Sequence, residues 1–421
     1  MNLVCKEVKV KRFGIFMITA LMVAAGSFAL FGADKEPIRI GMIGSITGDA
    51  AEMGIEFMES VLVAVDLINS KGGINGYPLS VSIVDGQSDP AVFATKAHRL
   101  IDNIKVIAGF GACDISFATA AGEVFQAKKT AFTDIAGTTP TIPLVGDYMF
   151  MTPIPDNDQG RAVAMYVTDK LGYKKTTIFK DIASAYGTKL TEYYIHFLKE
   201  FSDDPDPIPL VVTYETFDED FSPQLTRIKA QAEKLGLEAI VLPTWPRDAP
   251  TIAVQARRLG LDLAFIGTDG VDTTALIDVG GDSVEGMVYG THYDPNIPGQ
   301  PQMCLDYVEE FRGRYDCDPG AYGTMAYDSL MIMVEAAKAV IDEKGEAWWD
   351  SASLADKRTA TRDKVATLTF QWTSQAFGFT PEGWPKRALV WRVVENGERV
   401  YYDIQTYDAY TPEGIDTLPF K

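Results

Sequence analysis

The chain alternates short apolar runs with longer stretches in which apolar residues recur every three or four positions. Apolar runs at Ile38–Gly44, Pro78–Asp85 and Val106–Ala108 predict buried strands. Between the first two, Gly54–Ser70 has helical periodicity, and its predicted apolar face comprises Ile55, Met58, Leu62, Val65 and Ile68. A rhythm of strand, helix, strand, helix is typical of a doubly wound parallel sheet. We therefore predict an α/β fold.

The same rhythm continues through the second half of the chain. The predicted strands there are Thr176–Asp181, Val211–Phe217 and Glu238–Pro243, and the long predicted helices are Pro301–Tyr315 and Tyr322–Lys344. Near the C-terminal end, Ala388–Val394 and Arg399–Ile404 flank an Asn-Gly pair, which predicts a β-hairpin. A chain of 421 residues is too long for one small core and suits two α/β lobes.

The segment from Val106 to Leu144 predicts an anion-binding site. After the strand, the stretch Gly109-Phe110-Gly111-Ala112-Cys113 allows a sharp turn, and a helix is expected to begin at Asp114 or Ser116. The next strand, Thr130–Ile135, ends in a second turn of small residues at Ala136–Pro140. Backbone N–H groups at a helix start carry partial positive charge, and hydroxyl groups add donors. The alternative is that Ser116 and Thr138 only cap local structure.

Charge and the N-terminal segment narrow the range of partners and locations. A formal charge of −20 argues against nucleic acid and anionic membranes, because both require a basic surface. At the N-terminus, basic residues between Lys6 and Arg12 precede the apolar run Phe13–Phe28, and small residues follow up to Ala29. A run of roughly 16 apolar residues is short for a membrane span and fits a cleaved signal peptide. We expect residues 1–33 to comprise the signal peptide and the mature N-terminus.

Candidate chemistry is sparse. The sequence lacks the motifs G-x-x-x-x-G-K-[ST], H-E-x-x-H and C-x-x-C, and its three histidines form no recognisable catalytic set. We therefore expect no enzymatic activity, cofactor or metal. Cys304 and Cys317 bracket one predicted helix, and an exported protein permits a disulfide between them. Cys113 would then remain a buried thiol, and whether the bridge forms is left open.

Several motifs occur in an order that resembles one protein family. They are Gly44-Ser-Ile-Thr-Gly48, Asn69–Gly76, the strand ending at Asp85, Ala136-Gly-Thr-Thr-Pro140, Asp181 followed by Tyr186-Gly187, and Glu285–His292. The chain resembles the periplasmic binding proteins of branched-chain amino-acid ABC transporters. The resemblance implies the type I fold, with two Rossmann-like doubly wound lobes joined by three crossovers, the second of them at Glu285–His292. Lobe I would comprise 34–153 and 292–382, lobe II 154–291 and 383–410, and 411–421 would be a tail.

The resemblance also implies a function and a set of ligand contacts. The chain would be a monomeric extracytoplasmic solute-binding protein, located in the periplasm, that captures an amino acid by lobe closure and delivers it to a membrane permease. The alternatives are the same fold binding another small carboxylate, such as an aromatic or aliphatic acid, and a ligand sensor. The implied ligand-binding residues are Met53, Cys113, Ser116, Ala136, Gly137, Thr138, Tyr186, Trp245 and Asp269.

Each of these residues has an expected role. Backbone N–H groups near Cys113–Ser116 and Ala136–Thr138 would bind the ligand's carboxylate, with the hydroxyls of Ser116 and Thr138. In the resembling family an acidic residue at this strand end binds the ligand's ammonium, and the resemblance gives that role to Asp269. The alternative is that Asp269 or Asp272 caps the next helix; Asp272 is better placed to do so, which leaves Asp269 free. Met53, Tyr186 and Trp245 would form an apolar side-chain pocket. The alternatives are that Tyr186 only packs at a helix start and that Trp245 belongs to a lobe core.

Overall fold

The computed structural model describes residues 35–406 except Phe217, Trp372, Ser374 and Gln375. The predicted signal peptide and the tail at 411–421 lie outside the described residues. The chain forms two compact units and passes between them three times. The first unit comprises the residues up to Pro153 together with Pro298–Lys386, and the second comprises Ile154–Ile297 together with the residues from Arg387 onward.

Two of the three divisions differ from the predicted lobe boundaries. The second follows Ile297 rather than residue 291, because His292 makes its side-chain contact with Asp269 inside the second unit. The third follows Lys386 rather than residue 382, because the Gly383 carbonyl accepts a hydrogen bond from the Met151 N–H inside the first unit. The first division follows Pro153.

Five parallel strands form the main sheet of the first unit. In order across the sheet they are Leu79–Asp85, Ile38–Gly44, Ala108–Gly111, Ala131–Asp134 and Met149–Met151. The strand order reverses between Ile38–Gly44 and Ala108–Gly111. In open α/β sheets, the carboxyl ends of strands at such a reversal form the ligand-binding crevice. The residues that follow Gly44 and Gly111 therefore determine what this edge of the sheet can bind.

The helices of the first unit come from both of its chain segments. They are Ala51–Ser70, Pro90–His98, Ile115–Ala127, Gln302–Tyr315, Ala321–Lys344, Glu346–Ser351 and Leu354–Thr367. A π-helical turn at Arg99–Ile104 extends the second of them, and a 3₁₀ turn lies at Ile142–Val145. Two short strands, Phe370–Gln371 and Ala376–Phe377, pair antiparallel.

The predicted apolar face of the first helix was largely wrong. Of the five residues predicted to face the core only Ile68 is buried, whereas Phe57, Val61 and Ala64 are buried instead. This helix packs against both Ala321–Lys344 and Gln302–Tyr315 as well as the sheet, so it is covered on more than one side. A single apolar stripe is expected only for a helix that packs on one side.

Seven strands form the sheet of the second unit. In order across the sheet they are Glu398–Gln405, Leu389–Glu395, Val288–Thr291, Ala264–Gly267, Ala239–Leu242, Thr176–Asp181 and Leu210–Tyr214. The first two form the predicted hairpin, with Asn396 and Gly397 both at positive φ, and pair antiparallel; the other five are parallel. Because Val288–Thr291 lies inside this sheet, the prediction of a crossover at Glu285–His292 was wrong.

Alternation along the strands builds an apolar cluster on each face of this sheet. Phe179, Ile240 and Phe265 lie in one cluster, and their neighbours Ile178, Val241 and Ile266 lie in the other. The helices that cover the sheet are Asp156–Met165, Ala185–Phe201, Ser222–Leu235, Asp248–Arg258 and Ala275–Gly280. The strand order reverses between Thr176–Asp181 and Ala239–Leu242, which places the second unit's crevice beside Asp181 and Leu242.

The possible disulfide between Cys304 and Cys317 is not formed. Both residues are thiols; Cys304 is buried and Cys317 is partly exposed. Cys304 lies in the first turn of Gln302–Tyr315, and Cys317 follows the end of that helix. The helix separates them by roughly 16 Å along its axis. A disulfide requires Cα atoms less than about 7 Å apart, so two residues that bracket one helix cannot be bridged.

Candidate functional site

In the first unit, Ser45 and Cys113 follow the two strands at the reversal of strand order, and both are buried. Burial is the main cause that raises the pKa of the Cys113 thiol, and the nearby carboxyl groups of Asp134 and Asp114 add to it. A thiol in this environment stays protonated at neutral pH and is a poor nucleophile. The buried, protonated thiol supports a role for Cys113 as a small side chain that lines the crevice.

Asp114 caps the helix that begins at this crevice. It has extended backbone geometry at the N-cap of Ile115–Ala127, and its Oδ1 accepts hydrogen bonds from the Ser116 N–H at 2.8 Å and from the Ser116 hydroxyl at 2.5 Å. The Ser116 side chain is exposed. Since the hydroxyl is already donated to Asp114, the structure favours the local-capping alternative for Ser116.

Asp134 is a residue of this edge that the sequence analysis missed. It ends the strand Ala131–Asp134, is fully buried and lies directly beneath the turn at Ala136–Thr138. A Cβ atom added to Gly137 would lie 3.0 Å from the Asp134 Oδ2 atom, so the turn needs glycine to pass this close to the carboxyl group. Burial raises the pKa of Asp134 well above its ordinary value. Burial thus favours the protonated form of this carboxyl group.

The remaining predicted residues of the first unit occupy the same edge. Gly137 and Thr138 are buried, Ala136 is half-buried, and Met53 is half-buried in the first turn of Ala51–Ser70.

The sequence signal that could have identified Asp134 was an acidic residue at the end of an apolar strand, just before a turn of small residues.

In the second unit, an aromatic pair stands over the reversal of strand order. Ser184 caps the helix Ala185–Phe201, its Oγ accepting a hydrogen bond from the Gly187 N–H. The same Oγ atom accepts the indole N–H of Trp245 at 2.9 Å. The rings of Tyr186 and Trp245 meet edge to face, with their centroids 6.3 Å apart. Both rings are half-buried, which is the exposure expected of a pocket wall.

The phenol of Tyr186 is part of a polar cluster at the end of the next strand. Its hydroxyl donates to Asp269 Oδ1 at 2.7 Å and accepts from the Gly270 N–H at 3.2 Å. The Thr268 hydroxyl lies 2.7 Å from the same oxygen and is the remaining donor to it. Tyr186 is therefore fixed by polar contacts and does not only pack at the start of its helix.

Asp269 was predicted to be free, and this was wrong. The carboxylate is 5% exposed and has two partners, the Tyr186 hydroxyl on Oδ1 and His292 Nε2 at 3.0 Å from Oδ2. The sequence analysis treated His292 as an ordinary histidine, yet its ring is buried against the candidate ligand residue. Tyr186, Thr268, Asp269 and His292 together form what we call the Asp269 cluster.

Asp272 does not cap a helix, contrary to the prediction. It is buried among Arg392, Arg399, Tyr289 and Thr291, and its carboxylate accepts hydrogen bonds from all four. Although burial alone would raise the pKa of Asp272, the two guanidinium groups hold it below its ordinary value. Asp272 is thus an ionic anchor that ties the second sheet to the two arginines of its hairpin.

The sequence model of the family described as "Periplasmic binding protein" matches residues 37–376. The chain belongs to this periplasmic binding protein family. A curated relative is the leucine-, isoleucine-, valine-, threonine- and alanine-binding protein of Pseudomonas aeruginosa. It is 24% identical over 373 residues, which cover 88% of this chain and 95% of the relative.

Solved structures share the fold. The branched-chain amino acid transporter substrate binding protein of Streptococcus pneumoniae, in complex with isoleucine, has a TM-score of 0.75 and 22% identity, covering 88% of this chain and 99% of its own. A solute binding protein of an ABC transporter from Rhodopseudomonas palustris, in complex with 3,4-dihydroxybenzoic acid, has a TM-score of 0.72 and 19% identity, covering 89% and 98%. The periplasmic binding protein studied here therefore has the type I fold, with two doubly wound lobes.

Two further observations bear on what this periplasmic binding protein can hold. In the part of the chain that the structure describes, no three His, Cys, Asp or Glu side chains are grouped so as to hold a metal ion. None of the described helices is both long enough and apolar enough to cross a bilayer.

Proposed function

We propose that this periplasmic binding protein is the extracytoplasmic solute-binding component of an ABC importer and binds an amino acid with an apolar side chain. The role is binding rather than catalysis, and the location is the periplasm, reached through the predicted signal peptide. The curated relative named for leucine, isoleucine, valine, threonine and alanine binding supports this ligand class. Capture by lobe closure and delivery to a membrane permease are parts of the same proposal.

The Tyr186–Asp269 hydrogen bond is the observation that carries the proposal. It fixes a buried carboxylate at the carboxyl end of a strand, next to an aromatic pair. A carboxylate in that position binds an ammonium group strongly because water is largely excluded. In the first unit, backbone N–H groups near Cys113 and Ala136–Thr138 would donate hydrogen bonds to the ligand's carboxylate. Trp245 and Met53 would contact its apolar side chain.

The number of contacts is sufficient for a transport receptor. Micromolar affinity corresponds to about −8 kcal/mol. A hydrogen bond to a charged group contributes about 1.5–3 kcal/mol net, and burial of a leucine-sized side chain contributes a similar amount. Three or four such contacts, less the cost of ordering the ligand, reach that value. Loss of any one of them should be measurable.

A small carboxylate without an ammonium group is the second candidate ligand. One observation favours it: Asp269 already accepts a hydrogen bond from Tyr186 and contacts His292, so its charge has partners without a ligand. The neighbour from Rhodopseudomonas palustris, crystallised with 3,4-dihydroxybenzoic acid, shows that the fold can accommodate such a ligand.

Calorimetry with matched ligands separates the two candidates. The mature protein would be titrated with leucine, with 4-methylpentanoate, which is leucine without its ammonium group, and with 3,4-dihydroxybenzoate. We expect leucine to bind and Asp269→Asn to weaken it at least about thirtyfold, the equivalent of 2 kcal/mol for a broken buried charge pair. Asp278→Asn, at an exposed position of the same unit, is the control. Unchanged leucine affinity in Asp269→Asn, or preferential binding of a plain carboxylate, would remove the amino-acid assignment.

A further inference from the structure

His292 makes contacts that connect the Asp269 cluster to the places where the chain enters and leaves the second unit. Its ring is 1% exposed, with Nε2 at 3.0 Å from Asp269 Oδ2 and Nδ1 at 3.5 Å from the Ile154 backbone nitrogen. Its carbonyl oxygen accepts a hydrogen bond from Arg387 Nη2 at 3.2 Å. The Arg387 side chain is itself fully buried.

The donors around the ring define its protonation. The Ile154 N–H can only donate, so Nδ1 must accept and carry no proton. The proton of a neutral imidazole is then on Nε2, from which it is donated to Asp269 Oδ2. The ring thus acts as a neutral bridge between a backbone amide and the candidate ligand carboxylate. A hydrogen-bond partner behind a functional side chain commonly fixes the orientation of that side chain in this way.

Two of the partners of His292 lie at the positions where the chain enters the second unit. Ile154 is the first residue after the chain first enters the second unit, and Arg387 is the first after it enters for the second time. His292 itself lies shortly before Ile297, where the chain leaves again. One residue therefore contacts two of the three passages, lies shortly before the third and, through its ring, contacts the Asp269 carboxylate.

We propose that His292 is a positioning residue: it orients the Asp269 carboxylate for a ligand's ammonium group and ties that carboxylate to the two segments where the chain enters the second unit. This inference rests on the proposed function. The Nε2 side of the ring serves ligand binding, and the Nδ1 side anchors the entry segment at Ile154. A replacement side chain needs a donor to keep the contact with Asp269 and an acceptor to keep the contact with Ile154. Different substitutions can therefore remove one contact and keep the other.

Two substitutions separate the two sides. In His292→Gln the amide N–H₂ reaches the place of Nε2 and can still donate to Asp269, whereas the contact with Ile154 is lost. In His292→Asn the shorter side chain places its oxygen near Nδ1 and can still accept from Ile154, whereas the contact with Asp269 is lost. The leucine dissociation constant and the hydrogen exchange rate of the Ile154 amide would be measured for each, with the exposed His196→Asn as control.

We expect the two substitutions to have opposite effects on leucine affinity and on hydrogen exchange of the Ile154 amide. His292→Asn should weaken leucine binding at least about tenfold while the Ile154 amide stays protected. His292→Gln should bind leucine within about threefold of wild type while the Ile154 amide exchanges faster. A general loss of structure would instead change both quantities together in both variants. Equal effects of the two substitutions, or wild-type affinity in His292→Asn, would overturn the proposal.

A ligand-free measurement distinguishes failure of this proposal from failure of the proposed function. The ¹⁵N chemical shifts of the His292 ring report which nitrogen carries the proton. A proton on Nε2 in the unliganded protein supports the bridge even if no amino acid binds. A proton on Nδ1 overturns the bridge even if leucine binds tightly.

Discussion

The Tyr186 hydroxyl lies 2.7 Å from Asp269 Oδ1 and donates its proton to that oxygen. The same phenol oxygen accepts a hydrogen bond from the Gly270 N–H. It therefore links the first turn of the helix Ala185–Phe201 to the segment that follows the strand Ala264–Gly267. Gly270 permits this approach: a Cβ atom there would lie 2.3 Å from the Thr244 carbonyl oxygen and 3.0 Å from the Tyr186 hydroxyl. The phenol is therefore held in place by a carboxylate, an amide and a tight backbone turn.

Replacing Tyr186 by phenylalanine should weaken ligand binding while preserving the ring. The change removes the hydrogen bond to Asp269 and leaves the Gly270 N–H without its acceptor. A hydrogen bond to a charged group contributes about 1.5–3 kcal/mol, so we expect the leucine dissociation constant to rise about tenfold or more in calorimetry. Tyr402→Phe, on an exposed strand position, should leave it unchanged. Equal affinities for Tyr186→Phe and wild type would show that the phenol has no part in binding.

Asp114 and Ser116 should differ in what they contribute. Asp114→Ala removes the N-cap of Ile115–Ala127 and should lower the free energy of unfolding by about 1 kcal/mol, seen as a fall of a few degrees in Tm. Ser116→Ala removes only an exposed hydroxyl that is donated to Asp114, so stability should change by less than about 0.5 kcal/mol. Leucine affinity should change less than twofold. A tenfold loss of affinity in Ser116→Ala would restore this residue as a ligand contact.

The layered fold was predictable from apolar runs, but the close approach of strands was not. Val106–Ala108 was predicted as a strand with Gly109–Gly111 as a turn, whereas the strand is Ala108–Gly111. A Cβ atom on Gly111 would lie 2.2 Å from the Ile43 carbonyl oxygen. The glycine is needed for contact with the neighbouring strand, and a sequence pattern does not distinguish this use of glycine from a turn.

The candidate site was predictable only where its residues follow local motifs. Tyr186 lies in the first turn of the helix that follows one strand, and Trp245 lies between another strand and its helix. A single segment of sequence reveals each of these positions. The partners of His292 are 23, 95 and 138 residues away along the chain, so no window of sequence contains them together. The helix-capping role predicted for Asp272 was wrong for the same reason, because its partner Arg392 is 120 residues away along the chain.

The thiols of Cys304 and Cys317 should behave independently. Alkylation of the denatured protein without prior reduction should modify both residues, as measured by peptide mass spectrometry, because no disulfide joins them. A reductant should leave Tm unchanged, since it has no bridge to break. Cys317→Ser should also have little effect, because the side chain is partly exposed. Recovery of a Cys304–Cys317 linked peptide would contradict the structure.

Asp158 should make stability depend on pH in a direction opposite to that of an ordinary salt-bridged acid. It lies in the first turn of Asp156–Met165 and is buried, and burial raises its pKa from 3.8 to about 8 against the opposing charge of Arg161. Below about pH 4 both the folded and the unfolded states bind the proton. Between pH 4 and 8 the folded state keeps a proton that the unfolded state has released, so the free energy of unfolding falls as pH rises, by at most about 1.4 kcal/mol per pH unit.

Asp158→Asn removes this titration while keeping the shape of the side chain. We expect the difference in unfolding free energy between Asp158→Asn and wild type to grow in favour of the variant from pH 5 to pH 8, measured by urea denaturation at constant ionic strength. Asp262→Asn is the control, because it makes the same chemical change at a fully exposed side chain. Parallel pH profiles for Asp158→Asn and wild type would show that Asp158 ionises normally in the folded protein. The difference isolates Asp158 from other buried acids such as Asp134, whose contribution is common to both proteins.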